Sequence, residues 1–296
     1  MTHIPPNSTL CVKSHAKLNL FLHITGKRPD GYHNLQSVFC RLDWHDTLSF
    51  SPALHGDALV TLTGADGLTD TPTDNLITKA AFALAKYSEK TGIGTPFSVN
   101  IALEKRLPTG AGLGGGSSNA ATTLSTLNQL WQTCLDTEAL ITLGASLGAD
   151  VPFFLLDHPY AIAEGKGEQL HPITLEKRRF LLLLPDVHNA TVRFFSDDRL
   201  KKDSPHLPHT LLDGSGFLDR LTPPFYNAFE DIAKDSPAIT DALSYLATLA
   251  PHTQTTPRLT GTGSTVFLPL PDTLDAVTLA QWQKNAPCPS HIATSQ

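Results

Sequence analysis

The sequence predicts an α+β protein built as two lobes. Three observations carry this: strand-like segments cluster in the first third, helical periodicities alternate with them, and a second mixed set of strands and helices begins near residue 160. The 296 residues, 41% hydrophobic and 17% charged, are enough for a sizeable core divided over one large or two modest domains.

In the first lobe, LCVKSHAKLNLFLHI (10–24), SVFCRL (37–42), DTLSFSP (46–52) and DALVTLTG (57–64) read as strands between Gly, Pro, Asp and His punctuation. DNLITKAAFALAKYSEKTG (74–92) carries apolar residues at helical spacing, opens on Asp-Asn and stops at Gly92. FSVNIAL (97–103) is again a strand. After it come EKRLP and a glycine-rich stretch, then two consecutive helices, SSNAATTLSTLNQLWQ (117–132) and DTEALITLGASLG (136–148), the second capped by Asp136 and closed by Gly148.

The second lobe opens with HPYAIAEGKGEQLHPI (158–173), a strand pair around a glycine turn, and continues through the buried strand RRFLLLLP (178–185). Lys202 to Pro224 is rich in proline and aspartate and reads as irregular. Helices at NAFEDIAK (227–234), SPAITDALSYLATLA (236–250) and DTLDAVTLAQWQK (272–284) bracket a second glycine segment, LTGTGSTVFLPL (259–270), with strand-like flanks. The junction falls between 155 and 165. The expected lobes are 1–160, with the glycine-rich loop, and 161–296.

Composition narrows the function. A formal charge of −6 disfavours nucleic acid and anionic membranes, which need a basic face, and favours a small anionic ligand in a local pocket. Cys11, Cys40, Cys134 and Cys288 lie far apart without C-x-x-C spacing, which predicts reduced thiols rather than a zinc site or a disulfide framework. The thirteen histidines stand mostly singly and carry no reading. MTHIPPNSTLCVKSH lacks the pattern of a signal peptide, and no apolar run approaches the roughly 18 residues of a membrane span, so a cytoplasmic protein is expected.

The strongest local signal is PTGAGLGGGSSNAA (108–121), with five glycines and two serines at a helix start. Glycines let a ligand approach the backbone, and a helix N-terminus offers outward N–H groups and a favourable dipole, so the loop is suited to phosphate. A Walker loop beginning at Gly110 would need Lys where Gly116 stands. Gly110, Gly112 and Gly115 satisfy G-x-G-x-x-G, but EKRLP separates them from the strand and Asp136 caps a helix, which disfavours a dinucleotide fold.

The loop resembles that of the galactokinase, homoserine kinase, mevalonate kinase and phosphomevalonate kinase superfamily, in which Pro, small residues and Gly-Leu-Gly precede Ser-Ser. AKLNLFLHITGKRPDGYHNLQSVF near the N-terminus, LGADVPFFL (147–155) and LTGTGSTVFL (259–268) are similar to further motifs of that superfamily, in its order. The resemblance spans nearly the whole chain. Members differ near Thr260 and Thr265, often Ser or Ala, and at Ala228. It implies a two-lobed small-molecule kinase with a non-Walker ATP loop, acting as monomer or homodimer. Within the superfamily the longer glycine run and Asn119 resemble most the kinases that phosphorylate a diphosphocytidyl-linked sugar alcohol in isoprenoid precursor synthesis.

The resemblance implies site residues one by one. ATP would contact Pro108, Thr109, Gly110, Ala111, Gly112, Leu113, Gly114, Gly115, Gly116, Ser117 and Ser118. It implies Asp150 as the base that orients the acceptor hydroxyl and Lys17 as its partner, offsetting charge on the nucleophile or the γ-phosphate. Asn19, Tyr32, His33 and Phe195 would face the substrate, with Phe194 and Phe195 competing for one face of the cytosine. ATP brings Mg²⁺; Ser117 or Ser118 supplies a hydroxyl, and no carboxylate ligand is assigned. Asn75, Lys79 and Lys105 are adenine-side candidates by position alone. Gly261 and Gly263 have a supporting role. The rival readings are another kinase of the superfamily, which would lack the Tyr-His segment, and an inactive nucleotide-binding protein, which Lys17 and Asp150 disfavour.

Overall fold

Two long strands, β1 (Leu10–Lys27) and β2 (His33–Pro52), pair with each other and carry the chain through both halves of the fold. The computed structural model describes residues 8–53, 58–189, 191–214 and 216–296. The expected strand at 57–64 begins at Asp57, and the leader reading rests partly on residues 1–7, both outside the described residues; Val60–Thr63 forms β3. β1 alternates at its start and then buries every residue from Ala16 to Ile24, so that Lys17, Asn19 and His23 lie inside with the apolar side chains. A strand covered on both faces reads as a continuous buried run rather than an alternation.

The two strands expected at 37–42 and 46–52 are one strand of 20 residues. Asp43 and His45, read as punctuation, remain in the ladder with Trp44 because all three find partners, His45 in the His15 ring at 5.4 Å. The Asp43 carboxylate accepts the backbone N–H of Thr294 at 2.8 Å, and the Trp44 ring stacks on His291 at 4.2 Å.

The chain divides into two compact units that interleave in sequence. The first comprises 1–16, 45–109 and 114–157; the second comprises 17–44, 110–113 and 158–296. The boundary at 157/158 lies inside the expected junction, but 17–44 and 110–113 fall outside the expected division into 1–160 and 161–296. The physical reason is strand pairing. The first half of β2 pairs antiparallel with β5 (Tyr160–Glu164), Ser37 opposite Ala163, and this draws 33–44 into the second unit.

In the first unit, the second half of β2 pairs antiparallel with β4 (Val99–Glu104), which pairs parallel with β3. β4 alternates strictly between buried and exposed positions, as a half-covered strand must. Four α-helices complete the unit among the described residues: α1 (Leu76–Thr91), α2 (Gly115–Leu130), α3 (Thr137–Ala145) and the short α4 (Val151–Leu155). Asn75 caps α1 by accepting the Ile77 N–H at 2.9 Å, Gly92 ends it at φ 69°, and Asp136 caps α3 through Ala139 N–H. Leu48, Phe50, Ile101, Leu124 and Trp131 form the core of this unit.

In the second unit, β5 turns through Gly165 and Gly167 into β6 (Gln169–Pro172), the expected hairpin. A separate four-stranded antiparallel sheet has the order β10-β7-β9-β8, made of β7 (Arg179–Leu183), β8 (Arg258–Leu259), β9 (Val266–Leu270) and β10 (Ser290–Thr294). Its helices are α5 (Thr191–Ser196), α6 (Glu230–Ala233), α7 (Pro237–Thr253) and α8 (Ala276–Asn285). Leu181, Leu183, Val266 and Leu268 pack with Ile239, Leu246 and Trp282 as one core. The sequence reading has no counterpart for β10, α4 or α5. Each is five or six residues long, too short for a period to declare itself. No helix among the described residues is long and apolar enough to cross a membrane.

Candidate functional site

The glycine-rich loop divides between the units at Thr109/Gly110 and again at Leu113/Gly114. Gly114 is the N-cap of α2 in the left-handed region, at φ 69°, so the helix starts two residues earlier than the Ser-Ser pair indicates. The N–H groups of a first helical turn have no intrahelical acceptors, and no acidic residue stands in this one. Positive charge stands beside it instead. The Lys105 ammonium lies 3.5 Å from the point where a Cβ on Gly115 would fall. An anion at this helix start would meet a dipole and a cation together.

Lys105 is held there by Asp46 of β2, whose carboxylate is fully buried and takes the ammonium at 2.8 Å. Asp46 also accepts the N–H groups of Arg106 and Leu107, both at 2.8 Å, and the Asn119 amide of α2 at 3.3 Å. One carboxylate therefore fixes the chain that leads into the loop and the helix that leaves it. Ser118, buried, accepts the Ser14 hydroxyl at 2.8 Å. Ser117 reaches towards the 148–150 turn, its hydroxyl 3.7 Å from a Cβ position on Gly148, and Asp150 follows as the half-buried N-cap of α4. The first unit thus gathers the α2 start, Lys105, Ser117 and the Asp150 turn.

In the second unit, three separate backbones meet. Lys17 N–H donates to Leu113 carbonyl at 2.9 Å, and Thr265 N–H donates to Ala111 carbonyl at 3.2 Å. Gly112, at φ 79°, approaches the 259–265 turn so closely that a Cβ would fall 2.2 Å from the Thr260 carbonyl oxygen. No side chain fits there. The Thr260 hydroxyl accepts the Asn19 N–H at 2.9 Å. Asn227 donates to the carbonyls of Leu259 and Gly261, both at 2.8 Å, and accepts Phe229 N–H. Asn189 donates to Thr262 carbonyl at 2.8 Å. The turn around Gly261 and Gly263 is therefore braced from both sides.

Lys17 is buried at 3% exposure, unlike the solvated strand lysine that its residue type alone favours. Its ammonium donates to the Asn19 side-chain oxygen and lies 4.9 Å above the Phe39 ring. Asn19 in turn donates to Ser37 hydroxyl at 3.0 Å. Lys17 and Asn19 come together in the second unit, whereas Asp150 belongs to the first.

The aromatic candidates separate by burial. Phe194 is 1% exposed and packs edge-on against Phe229 in the core. Phe195 is partly exposed and stacks on the His33 ring, centroids 5.3 Å apart and planes within 18°. The His33 Nε2 is buried and has no hydrogen-bond partner. Desolvation, with Lys202 and Lys27 nearby, lowers the His33 pKa below the ordinary imidazole value, which keeps the ring neutral. Tyr32 is 60% exposed, with the Lys166 ammonium 4.8 Å above its ring. Among the adenine-side candidates, Asn75 is a helix cap, Lys79 pairs with Asp74 at 3.0 Å on the surface, and Lys105 stands beside the start of α2.

Asp46, Thr260 and Asn227 are the residues that sequence reasoning missed. Asp46 stands in a strand among polar neighbours and resembles a solvated side chain, and no spacing links it to residues 105–119. At three positions glycine serves the backbone conformation rather than ligand approach. Gly110, Gly112 and Gly114 have φ of 68°, 79° and 69°, so the backbone itself requires glycine there. Gly115 and Gly116 are helical and would tolerate a Cβ in ordinary contact.

Residues 75–158 match the family described as the GHMP kinases N terminal domain. The chain is 45% identical to the 4-diphosphocytidyl-2-C-methyl-D-erythritol kinase of Psychrobacter cryohalolentis over 94% of both chains. It is 41% identical to that of Hahella chejuensis over 90% of this chain and 86% of the relative. A crystal structure of 4-(cytidine 5'-diphospho)-2C-methyl-D-erythritol kinase superposes with a TM-score of 0.77 at 29% identity, covering 96% of this chain and 98% of the other. A homoserine kinase from Cytophaga hutchinsonii shares the fold, with a TM-score of 0.64 at 15% identity, covering 100% and 97%.

Because Asp46 is a buried charge with four partners, Asp46→Ala leaves two backbone N–H groups without their acceptor and the Lys105 ammonium, still bonded to the Leu107 carbonyl, without its counter-charge. Breaking a buried pair in this way costs about 3–5 kcal/mol. Urea unfolding of the variant is expected to show a loss of that size; a change below about 1 kcal/mol would place Asp46 with ordinary surface ion pairs.

Proposed function

Since the chain belongs to the 4-diphosphocytidyl-2-C-methyl-D-erythritol kinase family, within the GHMP kinases, we propose that it phosphorylates the 2-hydroxyl of 4-diphosphocytidyl-2-C-methyl-D-erythritol with ATP. This is a step of the methylerythritol phosphate route to isoprenoid precursors. Beyond the family, the observation that supports the substrate is the stacked pair of His33 and Phe195 with its unpartnered, buried imidazole nitrogen. A cytosine offers a flat face to the phenyl ring and hydrogen-bonding edges to a neutral imidazole.

The chemistry follows from the two groups of residues. ATP would lie with its phosphates at the start of α2, against the N–H groups of Gly115 to Ser117 and the Lys105 ammonium, the Ser118 N–H being taken by the Gly114 carbonyl at 2.9 Å. The acceptor oxygen bonds to the γ-phosphorus as the bond from that phosphorus to the β–γ bridging oxygen breaks, and ADP departs. The hydroxyl proton passes to the Asp150 carboxylate. Because the transition state is loose, Asp150 acts mainly by orienting the hydroxyl and Lys17 by offsetting negative charge. Asn19 keeps the Lys17 ammonium directed, being its hydrogen-bond partner.

Mg²⁺ fits this arrangement as a companion of the nucleotide. The Ser117 hydroxyl stands at the helix start, while the Asp46 carboxylate is fully committed to its four donors. The Ser117 hydroxyl would be the protein group that holds the ion, which would supply charge neutralisation on the phosphate oxygens. The enzyme works in the cytoplasm on a dissolved small molecule, as a monomer or homodimer, without nucleic acid or membrane.

A phosphoryl-transfer assay with ATP tests the reading against homoserine, mevalonate and free 2-C-methyl-D-erythritol as competing acceptors. Strong preference for the diphosphocytidyl substrate is expected. Equal use of free 2-C-methyl-D-erythritol would remove the base from recognition, and with it the roles of His33, Tyr32 and Phe195.

Asp150→Ala is expected to lower kcat by roughly 10²–10⁴-fold, the contribution of a positioned base, with ATP affinity little changed. Lys17→Ala is expected to cost a comparable factor, and the double variant much less than the product, since groups that act as one unit are not additive. Full multiplicativity would separate the two residues.

At the base end, Phe195→Ala or Tyr32→Ala is expected to weaken the cytidine substrate and its uridine analogue alike, by about the 1–3 kcal/mol of base stacking. His33→Ala is expected to weaken the cytidine compound selectively. The comparison is made on KM, and equal losses for both substrates in His33→Ala would assign His33 to stacking alone.

A further inference from the structure

The second unit holds a cluster of imidazoles that the kinase reaction does not use. Glu164, at the end of β5, is the point on which it converges. His171 of β6 places Nε2 at 3.3 Å from one carboxylate oxygen of Glu164. His209, from the segment between α5 and α6, places Nε2 at 3.1 Å from the other. His206 of the same segment reaches that second oxygen at 2.7 Å. The donor atoms of Glu164, His171 and His209 all lie within 4.8 Å of one another.

We propose that Glu164, His171 and His209 bind a first-row divalent metal ion of the zinc class, outside the kinase site. Two physical arguments carry this. The first is donor geometry. With ligand distances of about 2.0–2.2 Å, a tetrahedral zinc ion holds its donors roughly 3.3–3.5 Å apart, and the observed spacings of 3.1 and 3.3 Å are already of that size. Two imidazoles and one carboxylate are a donor set of intermediate softness, which suits zinc, nickel, cobalt or iron rather than calcium or magnesium.

The second argument is acceptor capacity. Glu164 Oε1 has two lone pairs, yet it faces the Gln36 amide at 3.1 Å, His206 Nε2 at 2.7 Å and His209 Nε2 at 3.1 Å. Three N–H donors crowd one carboxylate oxygen. A divalent ion instead takes neutral lone pairs, and the carboxylate offsets half of its charge.

The carboxylate is oriented from behind, as ligands of metal ions usually are. Gln36, fully buried on β2, donates to the same Glu164 oxygen at 3.1 Å and to Leu207 carbonyl at 2.9 Å. Its own oxygen accepts the Leu207 N–H at 2.7 Å. Gln36 thereby holds both Glu164 and the histidine-bearing segment. His206 completes this support, and the remaining coordination position faces solvent, since His171 and His209 side chains are 51% and 42% exposed. An ion here would tie residues 206–209 to the β5–β6 hairpin. Cysteine spacing does not reveal such a site, because its three ligands come from segments separated in sequence.

The test uses the full chain without an affinity tag. Titration with Zn²⁺ by calorimetry, and Co²⁺ absorption as a spectroscopic probe, are expected to show one ion per chain. His171→Ala, His209→Ala and Glu164→Gln are each expected to weaken binding at least 100-fold, whereas His206→Ala, a supporting residue, weakens it by about tenfold. His171 and His209 are exposed enough for their variants to fold, and circular dichroism confirms it for each. Binding to the wild type no tighter than to the folded His171→Ala/His209→Ala double variant would overturn the proposal. So would a Co²⁺ spectrum unchanged by these substitutions. Neither result bears on the kinase reading, because none of these residues is placed in its machinery.

Discussion

The fit of Gly112 against the Thr260 carbonyl is the constraint on which the site depends. At that point, backbone from β1, from the glycine-rich loop and from the 259–265 turn must lie closer than any side chain allows. Hydrogen bonds from Lys17 N–H and Thr265 N–H hold the loop segment in place, while Asn227 and Asn189 hold the turn. The buried Lys17 ammonium and the Asn19 amide owe their positions to the same junction. A single methyl group at residue 112 would disturb all of them.

A second anchor lies in the first unit. The Asp46 carboxylate joins the entry to the loop with the body of α2 and directs Lys105 to the helix start. Both anchors bury polar groups whose hydrogen-bonding capacity is mostly met, and networks of that kind give rigidity at the cost of tolerance to change. The loop is in this way held rigid, as the proposed phosphate receptor requires, and the acceptor specificity we propose falls to the more exposed residues His33, Tyr32 and Phe195.

Much of this was legible in the sequence, and what was not has a physical reason. Helices α1 and α3 announce themselves by caps, Asn75 and Asp136, which depend only on neighbours a few residues away. The β5–β6 hairpin is equally local. The interleaving of the units depends on which strands pair across more than a hundred positions, as Ser37 does with Ala163, and no local pattern encodes it. Burial of Lys17 contradicts residue-type preference because both faces of β1 are covered. Phe194 and Phe195 are indistinguishable as letters, and only the full burial of Phe194 and the stacking of Phe195 on His33 separate them. The histidines around Glu164 likewise look unrelated until the chain brings them together.

The division of labour within the glycine run is the central claim, and equilibrium unfolding of Gly112→Ala and Gly116→Ala, with and without ATP, addresses it directly. Gly112→Ala is expected to be destabilised without nucleotide, because its methyl group meets the Thr260 carbonyl. Gly116→Ala is expected to be as stable as the parent or more so, by up to about 1 kcal/mol from helix propensity, yet to lose the stabilisation that ATP confers on the parent. A Gly112→Ala variant as stable as the parent, or a Gly116→Ala variant that ATP still stabilises fully, would contradict the account.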